Sequence, residues 1–298
     1  MKTGFVSFVG RPNAGKSTLV NRLVGTKLAI VSDKPQTTRN RIRGVRNYPD
    51  AQVVFLDSPG IHRPLHRMNV RMVDTAVDTI REVDVLGLVV DVTEPPGKGD
   101  RYVLDLVKGA RAPVFLILNK IDRIKKSRLL PIIKQYGELG TFAEIVPISA
   151  QTGDNVDRLE HAIVDRLPEG EALYPADYLT DQPERFFAAE IVREKLLQFT
   201  HAEIPFSSAV VVDRFEEPAA GDAKPLLKLY CTIVVDRESQ KPIVVGKGGT
   251  MIKAIGIAAR EELEATFERK VHLELHVKVR AEWRDDERLL DELGVPRA

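Results

Sequence analysis

Residues 10–17 read Gly-Arg-Pro-Asn-Ala-Gly-Lys-Ser and lie between a predicted strand and a predicted helix. This glycine spacing is typical of a phosphate-binding loop, whose backbone N–H groups hold phosphate oxygens at a helix N-terminus. Lys16 is expected to contact the β- and γ-phosphates, and the Ser17 hydroxyl to bind Mg²⁺. We assign nucleotide binding here to Gly10, Arg11, Pro12, Asn13, Ala14, Gly15, Lys16, Ser17 and Thr18. Because such a loop joins a strand to a helix, the N-terminal part is predicted to be an α/β domain.

Short apolar runs alternate with longer amphipathic stretches from residue 5 to residue 167. The runs are FVSFV, QVVFLD, VLGLVVDV, APVFLILN and EIVPIS. This alternation predicts a mostly parallel sheet with helices on both faces. Residues 41–47 are predicted to add an antiparallel strand, because Tyr48-Pro49-Asp50 forms a tight turn before the second run. The predicted fold class is therefore an α/β nucleotide domain with a mixed sheet.

The second apolar run ends in Asp57-Ser58-Pro59-Gly60. An acidic residue at this place can hold Mg²⁺ through a water molecule, and the N–H of Gly60 can contact the γ-phosphate. Taken alone, an aspartate at a strand end before proline and glycine is a common turn. Its position after the phosphate-binding loop favours the metal interpretation.

The motif Asn-Lys-Ile-Asp at the end of the fourth apolar run selects the base. The ionised Asp122 carboxylate only accepts hydrogen bonds, and guanine offers two adjacent donors where adenine offers none. Sites of this kind reject the wrong base by roughly 10⁴-fold. Asn119 is expected to support the loop and bond the base, and the Lys120 stem to pack over the ring. After Ser149, the N–H of Ala150 is predicted to bind the guanine oxygen, so the ligand is GTP or GDP.

The order of these motifs over residues 1–168 resembles the translation-factor class of GTPases. That resemblance places the first switch at residues 36–39, where a threonine binds Mg²⁺ in the triphosphate state. We assign this role to Thr38, with Thr37 as the alternative. Residues 36–46, which begin with this switch, contain four arginines and no acidic residue: Arg39, Arg41, Arg43 and Arg46. A solvated strand face, contact with RNA phosphates and an internal arginine finger are the alternatives for them.

The residue after the Asp-x-x-Gly motif is Ile61. Ras-like enzymes place a glutamine there to orient the attacking water, which an aliphatic side chain cannot do. GTPases with a hydrophobic residue at this position often carry a loop asparagine that helps to bind K⁺, and Asn13 matches it. We therefore expect slow hydrolysis that K⁺ stimulates and a partner accelerates. The predicted catalytic residues are Lys16, Thr38, Gly60 and Asn13.

The pattern changes after residue 170. Residues 171–183 break the periodicity with prolines among acidic residues and are predicted to be a linker. With 298 residues, the chain has room for two domains, and we assign the nucleotide domain to 1–170 and a second domain to 184–298. The second domain has the predicted order helix, strand, strand, helix, helix, strand. It is therefore α+β.

Residues 246–249, Gly-Lys-Gly-Gly, precede an amphipathic helix. They resemble the Gly-x-x-Gly loop of a K homology domain, which clamps about four nucleotides. The glycines permit close approach of the RNA backbone, and the helix dipole favours phosphate. The element order resembles the type II form of that domain, although a glycine-rich helix entry is common by itself. The predicted RNA-binding residues are Gly246, Lys247, Gly248, Gly249 and Lys253. Trp283 is expected to cover the core or to stack on a base.

Together these motifs resemble the bacterial Era family over nearly the whole chain, including AAEIVREK at residues 188–195 and IVVDRES at residues 233–239. The resemblance implies a monomeric, Mg²⁺-dependent GTPase switch that binds the 3′ end of small-subunit rRNA. It also implies that the protein binds the precursor of the small ribosomal subunit and acts in the assembly of that subunit. Peripheral contact with the inner membrane is a further implication.

Charge and composition constrain the remaining alternatives. Lys and Arg number 44 against 43 Asp and Glu, so the net charge indicates no partner. The single Cys231 excludes an internal disulfide, and neither a signal peptide nor an apolar run of roughly 20 residues is predicted, so the expected location is cytoplasmic. A signalling or trafficking GTPase whose second domain binds protein or membrane stays open. An enzyme that modifies RNA is less favoured, because no nucleophilic or metal cluster supports it.

Overall fold

The computed structural model describes residues 1–61, 65–219 and 225–295. It divides into two compact units, one formed by Met1–Leu65 and Asn69–Asp181, the other by His66–Met68 and Gln182–Val295. The boundary falls inside the predicted linker 171–183, so residues 171–181 belong with the first unit. The predicted second domain also contains residues 220–224 and 296–298, which lie outside the described residues.

The first unit is a six-stranded sheet with helices between its strands. The strands are β1 (Lys2–Val9), β2 (Ile42–Tyr48), β3 (Ala51–Asp57), β4 (Val85–Asp91), β5 (Val114–Asn119) and β6 (Glu144–Pro147). The helices are α1 (Lys16–Val24), α2 (Arg67–Glu82, whose first two residues are counted with the second unit), α3 (Lys98–Val107), α4 (Leu129–Gly137) and α5 (Val156–Arg166). The strand order is β2-β3-β1-β4-β5-β6. Only the β2–β3 pair is antiparallel, which confirms the predicted mixed sheet.

Burial explains why these strands read as continuous apolar runs. All seven residues of β3 are buried, as expected for a sheet covered on both faces. Gly87 in β4 leaves room for its neighbours, since a Cβ there would lie 2.5 Å from a ring carbon of Phe8 and 2.7 Å from Ile117. The tight core fixes the carboxyl ends of the strands along one edge of the sheet, where the polar motifs lie.

Residues 173–181, called the strap below, lie along β2 and β3. The backbone N–H of Val45 donates to Leu179 O at 2.8 Å, and Thr180 Oγ1 donates to Arg43 O at 2.6 Å. The buried Gln52 side chain accepts from the N–H groups of residues 173 and 174 at 2.7 and 2.9 Å. Much of the predicted linker is therefore bonded to the sheet of the first unit.

Some of the arginines near the first switch are held by contacts within the first unit. Arg41 pairs with Glu82 at 2.7 Å, and Arg43 pairs with Asp181 of the strap at 3.2 Å. Arg39 is buried, with 5% of its surface exposed. The ion pairs of Arg41 and Arg43 and the burial of Arg39 favour a structural role for these side chains over an arginine finger.

The second unit is a three-stranded sheet with its helices packed around a separate core. Its elements are α6 (Glu184–Phe199), α7 (Ile204–Ser207), β7 (Ser208–Glu216), β8 (Leu226–Val235), α8 (Lys241–Val245), α9 (Thr250–Phe267), β9 (Lys270–Val279) and α10 (Glu287–Glu292). The order is β7-β8-β9, with β7 and β8 antiparallel and β8 and β9 parallel. The predicted order is confirmed, and α7 and α10 are additions. Trp283 is fully buried and donates from Nε1 to Ser207 O at 2.9 Å, so it belongs to the core.

By length and composition alone, the helical segment Glu238–Phe267 is apolar enough to cross a membrane, which the sequence analysis did not predict. Its helix is broken at Gly246, where φ is 75° and ψ is 166°. Within α9, Ile255 and Leu263 are fully buried in the core of the second unit. One face of α9 therefore packs in the folded core of the second unit.

Candidate functional site

A cavity of about 480 Å³ lies at the carboxyl edge of the first unit's sheet. The predicted nucleotide-site residues that line it are Pro12, Asn13, Gly15, Lys16, Ser17, Thr18, Thr38, Gly60, Asn119, Lys120, Asp122 and Ala150. The predicted residues that do not line it are Gly10, Arg11, Ala14, Asp57 and Ser149. The fold thus brings motifs from distant parts of the chain to one place.

The phosphate-binding loop adopts a conformation that its glycines permit. Gly10 and Gly15 have φ of 157° and 96°, and Gly15 caps the N-terminus of α1. A Cβ at Gly10 would lie 2.3 Å from Val89 O, so the loop packs directly on β4. Lys16 Nζ donates to Arg11 O at 3.0 Å and is buried, and this burial lowers the pKa of Lys16 to about 8. An anion in the cavity would favour the charged form of Lys16.

Three oxygen-bearing side chains predicted to bind Mg²⁺ converge beside this loop. Ser17 Oγ lies 2.8 Å from Asp57 Oδ2 and 2.7 Å from Thr38 Oγ1, and Thr38 Oγ1 lies 3.1 Å from Asp57 Oδ2. Thr37 Oγ1 instead donates to Lys34 O at 2.6 Å. The structure therefore brings Thr38, the first choice of the sequence analysis, to the other two.

The Asp57 carboxylate fits a cation. It is fully buried, and burial raises the pKa of Asp57 despite hydrogen bonds from Ser17 and Thr38. Its Oδ1 has no hydrogen-bond partner among the described residues. A buried carboxylate oxygen without a donor is costly unless a positive charge compensates it. Carboxylate and hydroxyl oxygens are hard ligands of the kind that Mg²⁺ prefers.

Asn119 joins three loops at the base end of the cavity. Its Nδ2 donates to Ala14 O at 2.8 Å, and its Oδ1 accepts from the Ala150 N–H at 2.9 Å. The Ala150 N–H was predicted to bind the guanine oxygen. In the structure it donates to the side-chain oxygen of Asn119. Asp122 lines the cavity with a quarter of its side chain exposed, as an acceptor for a base requires.

Gly60 and Ile61 close the phosphate end. A Cβ on Gly60 would lie 3.1 Å from the backbone of Pro12, so the two loops touch. The N–H of Ile61 donates to Gly10 O at 3.2 Å, and its side chain is 2% exposed within the apolar core. Position 61 therefore provides no side chain that could orient water in the cavity.

The Gly-Lys-Gly-Gly segment of the second unit forms the entry to α9. Gly246, Gly248 and Gly249 all have positive φ, of 75°, 60° and 80°. A Cβ at Gly246 would lie 2.6 Å from Met251 N, whereas Cβ atoms at Gly248 and Gly249 would meet nothing within 4 Å. Lys247 is exposed, so the loop presents open backbone and one positive charge to solvent.

Both halves of the chain match known protein families. Residues 5–120 match the family model described as 50S ribosome-binding GTPase, and residues 203–284 match the KH domain model. The GTPase Era of Geobacter metallireducens is 51% identical over 293 residues, which are 98% of this chain and 97% of that protein. The chain belongs to the Era family of GTPases. The GTPase Era of Heliobacterium modesticaldum is 46% identical over 294 residues, 99% of this chain and 97% of that protein.

Two solved Era structures have the same architecture. Each is 42% identical to this chain, covers all of both chains and has a TM-score of 0.95. One is Era in complex with MgGDPNP and nucleotides 1506–1542 of 16S ribosomal RNA. The other is an Aquifex aeolicus Era variant bound to GDP and AlF₄⁻. The predicted fold and family are confirmed.

Two carboxylates in this Era-family site were missed by the sequence analysis. Asp100 in α3 accepts from the Arg11 guanidinium at 3.1 Å and so anchors the phosphate-binding loop. Asp91, at the end of β4, lies 2.5 Å from Lys120 Nζ. Asp100 gave no sequence signal, but Asp91 ends an apolar run in the same way as Asp57.

Proposed function

We propose that this Era-family GTPase binds the 3′-terminal region of small-subunit rRNA and acts in assembly of the small ribosomal subunit. The observation that carries the proposal is the match over the whole of both chains to Era in complex with MgGDPNP and 16S rRNA nucleotides. Each half of this chain supplies the corresponding chemistry, a phosphate-binding cavity in the first unit and a Gly-x-x-Gly loop in the second.

In the nucleotide cavity, Lys16 would hold the β- and γ-phosphates, and Ser17, Thr38 and Asp57 would hold Mg²⁺. Bound Mg²⁺ would supply positive charge next to the phosphates. The Gly60 N–H would contact the γ-phosphate, and Asp122 would accept hydrogen bonds from guanine. These assignments rest on the convergence of the side chains at one cavity.

Hydrolysis is proposed to be slow and to respond to K⁺. Ile61 cannot orient water, so the site needs another source of positive charge near the phosphates. Asn13 Nδ2 donates to Asp33 O at 2.5 Å, which leaves its Oδ1 as the atom that can bind a cation. We expect faster GTP turnover in KCl than in NaCl, and an Asn13→Ala variant that loses this difference. Equal rates in the two salts, with an unchanged variant, would eliminate the ion from the mechanism.

RNA binding is proposed for Gly246, Lys247, Gly248, Gly249 and Lys253. The positive φ angles turn the backbone sharply at the N-terminus of α9, where the helix dipole favours phosphate. Gly248 and Gly249 leave open space, so an RNA backbone can approach closely. Lys247 and Lys253 are exposed and add positive charge.

The test is the affinity of the full chain for an RNA with the sequence of 16S nucleotides 1506–1542. We expect Lys247→Glu combined with Gly248→Asp to weaken binding by at least about tenfold, because repulsion replaces phosphate contact. Aspartate tolerates the left-handed backbone at position 248, so the variant should fold. Lys134→Glu, a change of an exposed lysine in α4, is the control and should bind normally. Unchanged RNA affinity in the double variant would instead favour a protein- or membrane-binding second domain.

The cytoplasm is the proposed location, since small-subunit assembly occurs there. Peripheral contact with the inner membrane and a monomeric state stay predictions. Sedimentation with lipid vesicles and light scattering of the purified chain are the measurements that test them.

A further inference from the structure

The end of β4 places a carboxylate beside residues 119–122, the motif proposed to bind the base. Asp91 and Asn119 are register partners on the adjacent parallel strands β4 and β5, and Val92 N donates to Asn119 O at 3.1 Å. Lys120 follows in a left-handed conformation, with φ of 70°. This backbone turn brings the lysine side chain back across the end of β4.

The two side chains form a short ion pair at the cavity. Lys120 Nζ lies 2.5 Å from Asp91 Oδ2. The other carboxylate oxygen, Oδ1, accepts from the backbone N–H of Thr93 at 2.9 Å and from its hydroxyl at 2.6 Å. Both oxygens of the carboxylate are therefore fixed, and so is the position of the ammonium group.

The environment keeps Asp91 ionised. Partial burial alone would raise the pKa of Asp91, but hydrogen bonds from Lys120 and Thr93 outweigh it and lower that pKa. About a fifth of each charged side chain is exposed, so the pair is screened less than one on the open surface. The charge on the carboxylate is thus available to hold Lys120 at neutral pH.

Holding the ammonium also orders the carbon stem. A lysine side chain has many rotamers and loses considerable entropy when it is fixed. Asp91 fixes it before any ligand arrives, so the four methylene groups form a prepared apolar surface next to Asp122, the residue expected to read the edge of the base. Preorganised contacts bind more tightly because less freedom is lost on binding.

We propose that Asp91 is a positioning residue for the guanine base, which acts by holding the Lys120 stem where the ring packs. This inference rests on the proposed guanine-nucleotide site. Packing against the face of the ring does not depend on the groups at its edge. Asp91 therefore contributes to affinity for any purine with the same ring, whereas Asp122 determines which edge is accepted.

The experiment measures GDP and inosine diphosphate affinity of the full chain by displacement of a fluorescent GDP analogue. Asp91→Asn should weaken both ligands by about tenfold and leave their ratio unchanged, because inosine has the guanine ring system without the exocyclic amine. Asp91→Glu retains the charge and should recover most of the loss. Asp105→Asn removes an exposed ion pair with Lys108, whose charged atoms lie 2.7 Å apart, and should bind as the wild type does.

A double-mutant cycle with Lys120→Met separates positioning from general damage. Methionine keeps an apolar stem without the ammonium, so Asp91→Asn should have almost no further effect in that background. A full tenfold loss there would overturn the proposal, as would wild-type GDP affinity in Asp91→Asn. If Asp91→Asn fails to fold, Thr93→Val tests the same chain of contacts, and its unchanged affinity would also overturn it. Failure of the wild type to bind GDP would refute the nucleotide site itself.

Discussion

Asn119→Ala is the substitution whose effect on nucleotide binding can best be estimated from the structure. It removes the bond from Nδ2 to Ala14 O and the bond from the Ala150 N–H to Oδ1, at 2.8 and 2.9 Å. One buried carbonyl and one buried N–H then lack partners, each at a cost of about 1–3 kcal/mol. The loops can open to water and avoid that cost, but they must close again to bind nucleotide. The lower limit, about 2 kcal/mol, corresponds to an affinity loss of about 30-fold.

Titration of a fluorescent GDP analogue at 25 °C measures this loss. Asn119→Asp should also bind weakly, because it keeps an acceptor for Ala150 but sets a carboxylate oxygen against Ala14 O. Asn47→Ala also removes two bonds of 2.8 Å, one from Asn47 Nδ2 to Ala176 O and one from Gln52 Nε2 to Asn47 Oδ1. It is the matched control, with expected affinity within twofold of the wild type. An Asn119→Ala protein that binds GDP within threefold of the wild type would refute the reasoning.

Three further predictions concern stability, catalysis and reactivity. Gln52→Ala should lower the free energy of unfolding by about 2 kcal/mol or more, since it leaves N–H groups of the strap unpaired. Chemical denaturation followed by circular dichroism measures this change, and an unchanged midpoint would contradict the prediction. Ile61→Gln should not accelerate GTP turnover and should destabilise the protein by about 1–3 kcal/mol, because the amide enters an apolar core. Faster turnover would show that the glutamine side chain reaches the attacking water. Burial raises the pKa of Cys231 to about 12, so native protein at pH 8 should resist iodoacetamide until it unfolds; rapid labelling, read by mass, would disprove the buried thiol.

The parts of the site that could be predicted from the sequence are those in which spacing along the chain fixes geometry. The phosphate-binding loop is one example, since the glycines, Lys16 and Ser17 act over eight neighbouring residues. The antiparallel β2 was predicted because a tight turn joins it to β3. Thr38, and not Thr37, lies beside Ser17 and Asp57. The choice between the two threonines depended on family resemblance, because the spacing fits either residue.

The strap could not be predicted, because its composition and its contacts indicate opposite behaviour. Prolines and acidic residues are typical of a linker, yet Gln52, far away in the sequence, binds its backbone and fixes its path. A buried glutamine in a central strand is itself a signal, since a buried amide needs partners. That signal shows that something must pair with position 52, but not which segment does so.

The position of Asp91 at the end of a strand is a sequence signal for a functional carboxylate. In an open parallel sheet, ligands bind at the carboxyl ends of the strands. Asp57, Asp91 and Asn119 each end a strand, and in the sheet order β3-β1-β4-β5 their strands flank or follow the one that leads into the phosphate-binding loop. Asp57 and Asn119 were assigned because known motifs contain them, whereas Asp91 belongs to no such motif. The two aspartates then differ through their neighbours: Asp57 is fully buried with an unpaired oxygen, which suits a cation, while Asp91 already has its cation in Lys120. Strand-end position therefore indicates that a carboxylate belongs to the site, and its local partners determine what it does there.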